Sequence, residues 1–174
     1  MATLITYFSR ADENFFDGEI RFIKVGNTEV VCNILNQIID ADMFKIEMKK
    51  PYSASYKICI EEAKKDHKEN KRPELKTYLD SIEQYDTIIL AYPNYWNTMP
   101  MAVFTFLDKY DFSGKTILPL CTNEGSGLGN SIKDITNCCP DSEVGIGLSL
   151  VGSRVASSKD KVSKWLGENG IKVR

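Results

Sequence analysis

The run Thr-Ile-Ile-Leu-Ala at residues 87–91 constrains the fold more than any other feature of the sequence, because no charged residue interrupts it. A strand that is buried on one face alternates apolar and polar residues, whereas a short continuous apolar run is typical of a strand buried on both faces. Two further runs, at 4–8 and 116–121, have a similar apolar and β-branched character. We therefore expect a parallel sheet with helices on both of its faces.

Segments with helical spacing of apolar residues separate these strands along the chain. Strands are predicted at 4–8, 43–48, 87–91, 116–121 and 144–151. Helices are predicted at 27–39, 54–72, 73–82, 100–110, 131–138 and 157–167, and residues 11–25 are expected to be irregular. Five strands that alternate with helices indicate a three-layer α/β fold, in which a single domain over residues 1–174 forms a doubly wound five-stranded parallel sheet.

The composition excludes several classes of protein. The 174 residues carry 22 basic and 24 acidic side chains, a formal net charge of −2, and this balance argues against a nucleic-acid-binding protein. No stretch approaches the roughly 20 apolar residues of a membrane span, and the N-terminus has no basic leader, so we expect a cytoplasmic protein. The five cysteines are odd in number and lie mostly in apolar runs, which favours reduced core thiols over disulfides.

The loop after the first predicted strand has the residues of a phosphate site. Open parallel sheets bind ligands outside the carboxyl ends of their strands, where the strand order reverses. Ser9 and Arg10 lie at this end of the first strand, and Gly26 precedes a predicted helix start at which Asn27 or Thr28 is the N-cap. Hydroxyls, backbone amides and the helix dipole suit a phosphate, and the absence of Walker and G-x-G-x-x-G patterns favours a monophosphate. A plain capped helix start is the alternative.

The loops after the third and fourth predicted strands are also unusual. Residues 92–100 (Tyr-Pro-Asn-Tyr-Trp-Asn-Thr-Met-Pro) contain two prolines and three aromatic residues. Adjacent Tyr95 and Trp96 favour stacking on a flat ligand, although Trp96 could instead fold into the core or form a partner surface. Residues 122–129 (Thr-Asn-Glu-Gly-Ser-Gly-Leu-Gly) expose backbone groups of the kind that a flavin ring edge needs; taken alone, this loop is better explained as a flexible connector.

Together, the three loops resemble those of the flavodoxin family, and especially small bacterial flavodoxin-like proteins with a Tyr-Phe-Ser-Arg start, a Pro-x-x-Trp loop and a Glu-Gly-Ser-Gly loop. The resemblance covers essentially the whole chain, and it implies the strand order 2-1-3-4-5 and FMN as the cofactor. The resemblance implies that Ser9, Arg10, Asn27 and Thr28 hold the FMN phosphate. Asn14 and Gly26 are also expected to bind the cofactor. The isoalloxazine ring is expected between Pro93, Asn94, Tyr95, Trp96 and Asn97 on one side and Thr122, Glu124, Gly125, Ser126 and Gly127 on the other.

The chain differs from most flavodoxins in the length of its phosphate segment. The family usually binds phosphate with one short loop, whereas about fifteen residues separate Arg10 from Gly26 here. We therefore expect a site assembled from two segments. Asp12 and Glu13 are expected to point away from it, because carboxylates would repel a phosphate.

Three functions are compatible with these residues. The first is electron transfer to a redox partner protein, and the second is an NAD(P)H-dependent FMN or quinone reductase that acts on a small-molecule acceptor. The third is a binding module that has lost the cofactor, which three retained ligand loops argue against. A net charge of −2 gives little support for the strongly acidic docking face of a carrier. No catalytic or metal-ligating set is predicted, His67 is expected on a solvated helix, and both a monomer and a homodimer remain open.

Overall fold

The computed structural model describes residues 2–174 and arranges them around one parallel sheet. The strands, in chain order, are β1 (Ala2–Tyr7), β2 (Asp12–Phe16), β3 (Glu19–Ile23), β4 (Asp42–Lys45), β5 (Tyr85–Pro93), β6 (Thr116–Asn123), β7 (Glu143–Val144) and β8 (Leu148–Val151). The helices are α1 (Asn27–Ile38), α2 (Tyr56–Lys68), α3 (Met101–Lys109), α4 (Ser131–Cys138) and α5 (Lys159–Glu168), and a 3₁₀ helix spans Gly152–Ser157. Strands β2 and β3 form a separate antiparallel hairpin, so the other six strands make up the main sheet.

The strand order of the main sheet confirms the predicted topology. Strand β1 lies between β4 and β5, β6 follows β5, and both β7 and β8 pair with β6, all in parallel. When the strands of this sheet are numbered without the hairpin, the order is 2-1-3-4-5, as predicted. The predicted count of five strands is wrong, because the short strands β7 and β8 both occupy the last position. The predicted strand at 144–151 is interrupted at Ile146, whose amide donates to Asn169 Oδ1 (2.9 Å) and whose carbonyl accepts from Trp165 Nε1 (2.6 Å).

The two faces of the sheet bury separate hydrophobic cores, as the apolar runs predict. Leu4 packs in the core that α3 and α4 cover, whereas its neighbour Ile5 packs in the core that α1 and α5 cover. Ile88 and Ile89 of β5 divide between the two cores in the same way, and both are fully buried. The predicted three-layer α/β fold is therefore confirmed.

Residues 11–25, which were predicted to be irregular, contain the hairpin of β2 and β3. Asp17 and Gly18 form its two-residue turn, and both have left-handed backbone angles, with φ of 52° and 85°. An Asp-Gly pair suits this turn because glycine adopts positive φ without steric cost and aspartate tolerates it. The hairpin lies between the end of β1 and the start of α1, beside the carboxyl edge of the sheet.

The predicted helix at 73–82 is wrong. The segment is mostly irregular, and its first part pairs with the residues that follow β4: Met48 and Leu75 form an isolated antiparallel bridge, and Lys76 N donates to Glu47 O (2.8 Å). These partners satisfy backbone groups that a helix would otherwise pair internally.

Other element boundaries shift by a few residues. The predicted strand at 43–48 ends at Lys45, after which Met48 forms its bridge with Leu75. The predicted helix at 54–72 ends at Lys68, because Asn70 has a left-handed φ of 49° that a helix cannot continue through. The buried residues of α2 are few, so most of this helix faces solvent as predicted.

We expect the buried aromatic core to dominate the stability of the fold. Phe106 is fully buried on α3, whereas Phe22 on the hairpin is 65% exposed. Replacing Phe106 with alanine leaves a cavity and is expected to lower the free energy of unfolding by about 3 to 5 kcal/mol in urea titrations. The matched variant Phe22→Ala should change it by no more than about 0.5 kcal/mol. Equal losses in the two variants would contradict this assignment of the core.

Candidate functional site

A cavity of about 340 Å³ opens at the carboxyl edge of the sheet, where the loops after β1, β5 and β6 meet. We call it the first cavity. Its lining includes these predicted cofactor-binding residues: Ser9, Arg10, Asn14, Asn27, Thr28, Pro93, Asn94, Tyr95, Thr122, Glu124 and Ser126. Five predicted residues lie outside the lining: Gly26, Trp96, Asn97, Gly125 and Gly127. Four lining residues were not predicted: Phe15, Tyr56, Asn123 and Gly152.

One end of the first cavity is the N-terminus of α1. The N-cap residue is Gly26 rather than Asn27 or Thr28, and the capping oxygen comes from the end of β1, where Ser9 Oγ accepts from Glu29 N (3.1 Å). The amides of Asn27 and Thr28 have no hydrogen-bond acceptor within residues 2–174. Two free N–H groups beside a serine hydroxyl at the positive end of a helix dipole form an anion-binding arrangement.

Gly26 is required where it stands because the chain passes very close to the end of β1. A Cβ atom at this position would lie 2.7 Å from the carbonyl oxygen of Arg10 and would also overlap Ser9 Oγ. The predicted residue Gly26 therefore shapes the first cavity from behind, by letting α1 start against the end of the strand.

A second contact joins α1 to the loop after β6. Thr28 Oγ1 and Thr122 Oγ1 share a buried hydrogen bond of 2.7 Å. Glu124 lies beyond them, and its carboxylate accepts from Ser153 N (2.8 Å) and Ser153 Oγ (3.0 Å) at the start of the 3₁₀ helix. Gly152 permits this close packing, because a Cβ there would lie 2.5 Å from Asn27 Nδ2. The charge of Glu124 is thus held by two donors of Ser153 in the 3₁₀ helix.

The glycine-rich loop is ordered by one side chain and is not a loose connector. Asn123 Oδ1 accepts from Gly125 N (2.9 Å) and Gly127 N (3.0 Å). Both glycines have positive φ, at 121° and 71°. Their amides, predicted to face a ligand, are therefore engaged within the loop, and Glu124 and Ser126 reach the first cavity instead of the two glycines.

Arg10 braces the hairpin against the start of α2. Its guanidinium donates to the carbonyl oxygens of Ser53 (2.8 Å) and Ala54 (2.9 Å), and also to that of Glu13. Asn14 Nδ2 donates back to the carbonyl oxygen of Arg10 (3.1 Å). The terminal nitrogens of Arg10 are thus committed, while its Nε is buried without an acceptor in the described part of the chain.

The acidic residues of the hairpin do not line the first cavity. Glu13 Oε2 instead accepts from Tyr56 N (3.4 Å), and Phe15 stacks on the Tyr56 ring with centroids 6.3 Å apart. The hairpin therefore presents Phe15, Asn14 and the Arg10 brace to the first cavity, in agreement with the expectation that Asp12 and Glu13 point elsewhere.

The loop after β5 closes with a tight turn at Trp96 and Asn97. Tyr95 and Thr98 pair their backbones across it, and the two central residues have φ of 53° and 71°. Asn97 N donates to Asn94 Oδ1 (2.9 Å), which places Asn97 behind the loop. Only Pro93, Asn94 and Tyr95 of this loop reach the first cavity.

Trp96 leans on α2 and does not fold into the core. Its Nε1 donates to the carbonyl oxygen of Ile60 (2.9 Å), and the ammonium of Lys64 lies 5.1 Å from its ring centroid. The side chain remains 43% exposed. Tyr95 is the one aromatic residue of this loop that lines the first cavity, and its ring meets that of Phe8 edge to face at 5.8 Å.

The ionisable groups near the first cavity favour binding over acid–base chemistry. Burial raises the pKa of the Tyr95 hydroxyl well above its usual range and also raises the pKa of the Cys59 thiol, so both stay protonated at neutral pH. Burial raises the pKa of Cys121, behind the site, to about 12. Within residues 2–174, no three His, Cys, Asp or Glu side chains are arranged to hold a metal ion, and no helix has the length and apolar character needed to cross a membrane.

The fold and the site define an open parallel α/β protein with a cavity at the carboxyl edge of its sheet. A flavodoxin family model matches residues 20–169, and the chain belongs to this family. No curated protein gives a significant match.

Solved structures share this fold over nearly their full length. A protein from Bacteroides uniformis, assigned as a flavoprotein, is 27% identical, with a TM-score of 0.75 over 95% of this chain and 97% of that one. A second, from Bacteroides eggerthii and assigned in the same way, is 23% identical, with a TM-score of 0.79 over 98% and 99%. A flavoprotein from Lactobacillus acidophilus, crystallised in complex with FMN, is 20% identical, with a TM-score of 0.64 over 94% and 97%.

The brace formed by Arg10 can be tested in the protein without added ligand. Arg10→Met removes charged donors from three carbonyl groups, and we expect the free energy of unfolding to fall by about 1.5 to 3 kcal/mol. Chymotrypsin should then cleave the hairpin at its phenylalanines faster than in the parent protein. Arg21→Met is the control, because Arg21 lies on the same hairpin and is exposed. If Arg10→Met had the stability and cleavage rate of the parent, Arg10 would not be a brace.

Proposed function

We propose that the protein binds one FMN non-covalently in the first cavity and uses it for electron transfer. The proposal rests on one observation: the backbone amides of Asn27 and Thr28 are free and lie beside the Ser9 hydroxyl. These donors are at one end of the first cavity, which Tyr95 also lines. A volume of about 340 Å³ lies within the range of small-molecule sites. The flavoprotein from Lactobacillus acidophilus, which shares the fold, was crystallised with FMN.

The polar end of the first cavity fits the phosphate. The amides of Asn27 and Thr28 and the hydroxyl of Ser9 are donors at the positive end of α1, where a dianion is favoured. Arg10 also lines the cavity, and its buried Nε lacks an acceptor among the described residues. A phosphate bound at this end would satisfy donors that are otherwise unpaired.

The remaining walls fit a flat, mostly apolar ring with polar edges. Pro93 and Tyr95 give one wall a rigid, partly aromatic surface, and Thr122 and Ser126 give the other wall polar groups. Bound FMN supplies the redox chemistry itself, while these residues orient it and limit its contact with water. Cofactor-binding roles for Trp96, Asn97, Gly125 and Gly127, which lie outside the lining, remain predictions.

The proposal includes the setting of the reaction. The electrons pass to a redox partner protein or a small-molecule acceptor in the cytoplasm, with the protein acting as a monomer or homodimer and without nucleic-acid or membrane partners. The alternative, an NAD(P)H-dependent FMN or quinone reductase, uses the same cofactor site and differs in how the electrons leave it.

Affinity for two flavins tests the phosphate site. FMN should bind at least about 100-fold more tightly than riboflavin, as measured by quenching of flavin fluorescence, because riboflavin lacks the phosphate. Ser9→Ala should weaken FMN binding about tenfold and leave riboflavin binding unchanged. Ser113→Ala, a serine distant from the first cavity, serves as the control. Riboflavin binding as tight as that of FMN would rule out the assigned phosphate end.

Stepwise anaerobic reduction of the FMN-loaded protein separates the two functions. If the protein is an electron carrier, we expect the visible spectrum to change in two distinct stages, because the site holds the two electrons apart. A single stage, together with rapid reduction by NADH or NADPH, would contradict the carrier and support the reductase.

A further inference from the structure

A second cavity, of about 230 Å³, lies between α2 and the loop after β5. It adjoins the first cavity, because Arg10, Asn14, Tyr56, Asn94 and Tyr95 line both. The roles proposed for the first cavity leave this space without an assignment.

One wall of the second cavity is a face of α2. Tyr56, Cys59, Ile60 and Ala63 follow the spacing that places residues on one side of a helix, and all four line the cavity. Cys59 and Ala63 are buried, although α2 is otherwise a mostly exposed helix. This apolar face therefore turns towards the loop after β5 and not towards either main core.

The opposite wall of the second cavity is formed by Trp96, whose backbone conformation is energetically unfavourable. Trp96 has a φ of 53°, a left-handed angle that is unusual for so bulky a residue. Its hydrogen bond to Ile60 and the Lys64 ammonium over its ring fix the indole beside α2. A strained residue that no core requires is typical of a ligand site.

The size and walls of the second cavity restrict what it can hold. A protein cavity of roughly 150 Å³ is enough for benzene, so about 230 Å³ suits one substituted ring and is too small for a dinucleotide. Tyr56, Tyr95 and Trp96 are aromatic residues of the lining, and tyrosine hydroxyls and the Asn94 and Asn14 amides add polar groups to it. No carboxylate lines the cavity, and the terminal nitrogens of its one cation, Arg10, are already committed. These features favour an uncharged ligand.

We propose that the second cavity binds an uncharged molecule with a single aromatic ring and holds it directly beside the first cavity. That the neighbour in the first cavity is FMN rests on the proposed function; binding of the ring itself does not.

The probe for this site is 4-methoxyphenol, which carries one ring and two oxygen substituents and does not modify thiols. Its affinity is measured by saturation-transfer NMR titration, with the FMN-free and the FMN-loaded protein. We expect one binding site in both forms. Ala63→Leu, which fills the second cavity alone, should weaken probe binding at least tenfold while FMN affinity stays within twofold. Lys68→Leu, an exposed change at the end of the same helix, should alter neither affinity.

A second variant covers the case in which Ala63→Leu does not fold. Trp96→Ala removes the outer wall from a 43% exposed position and should likewise weaken probe binding at least tenfold. Displacement of the probe by FMN would overturn the inference, because the second cavity would then be part of the flavin site. Absence of probe binding from both forms would also overturn it. Probe binding without any FMN binding would support the aromatic site while the proposed function failed.

Discussion

The contact between Gly26 and the end of β1 is the constraint on which the site depends. Glu29 is 20 positions after Ser9 in the sequence, yet Ser9 Oγ caps α1 through Glu29 N at 3.1 Å. Any side chain at position 26 would push the helix away from the strand. The entropic cost of closing a loop rises only slowly with the number of residues in it. The long segment 11–25 can therefore lie between Ser9 and the start of α1 while the two stay in contact. The inserted hairpin also pairs most of its own backbone, so it adds few unsatisfied groups.

Arg10 donates hydrogen bonds both to the hairpin and to the start of α2. A single guanidinium joins the carbonyl groups of Glu13, Ser53 and Ala54, and so fixes the hairpin relative to the start of α2. Both cavities share this residue as part of their lining. Sequence reasoning assigned Arg10 to the phosphate because of its charge and position. In the structure the terminal nitrogens of Arg10 donate to backbone carbonyl groups instead. One of these carbonyls belongs to Ser53, 43 positions further along the chain, and the sequence does not reveal that the two residues meet.

The sequence predicted the sheet well because burial on both faces leaves a direct signature in apolar runs. The hairpin carried a usable signal that was not followed, namely Asp17-Gly18 between short segments of mixed polarity, and recognising it would have drawn attention to Phe15. By contrast, the break at Ile146 depends on side chains of α5, and no local pattern encodes it. The lining residue Gly152 could not be predicted either. A glycine is required there because the side chain of Asn27, far away in the sequence, packs against it.

Trp96 shows why residue type alone does not locate a ligand. The sequence suggested that Tyr95 and Trp96 both stack on a flat ligand. In the structure, a turn with positive φ at Trp96 and Asn97 directs the two aromatic side chains to different places. Tyr95 enters the first cavity, and Trp96 reaches α2 and lines only the second cavity. The turn therefore gives two consecutive aromatic residues different surroundings, since Tyr95 lines both cavities and Trp96 lines only the second. The type and order of the residues do not encode that difference, because it depends on the positive φ angles of Trp96 and Asn97.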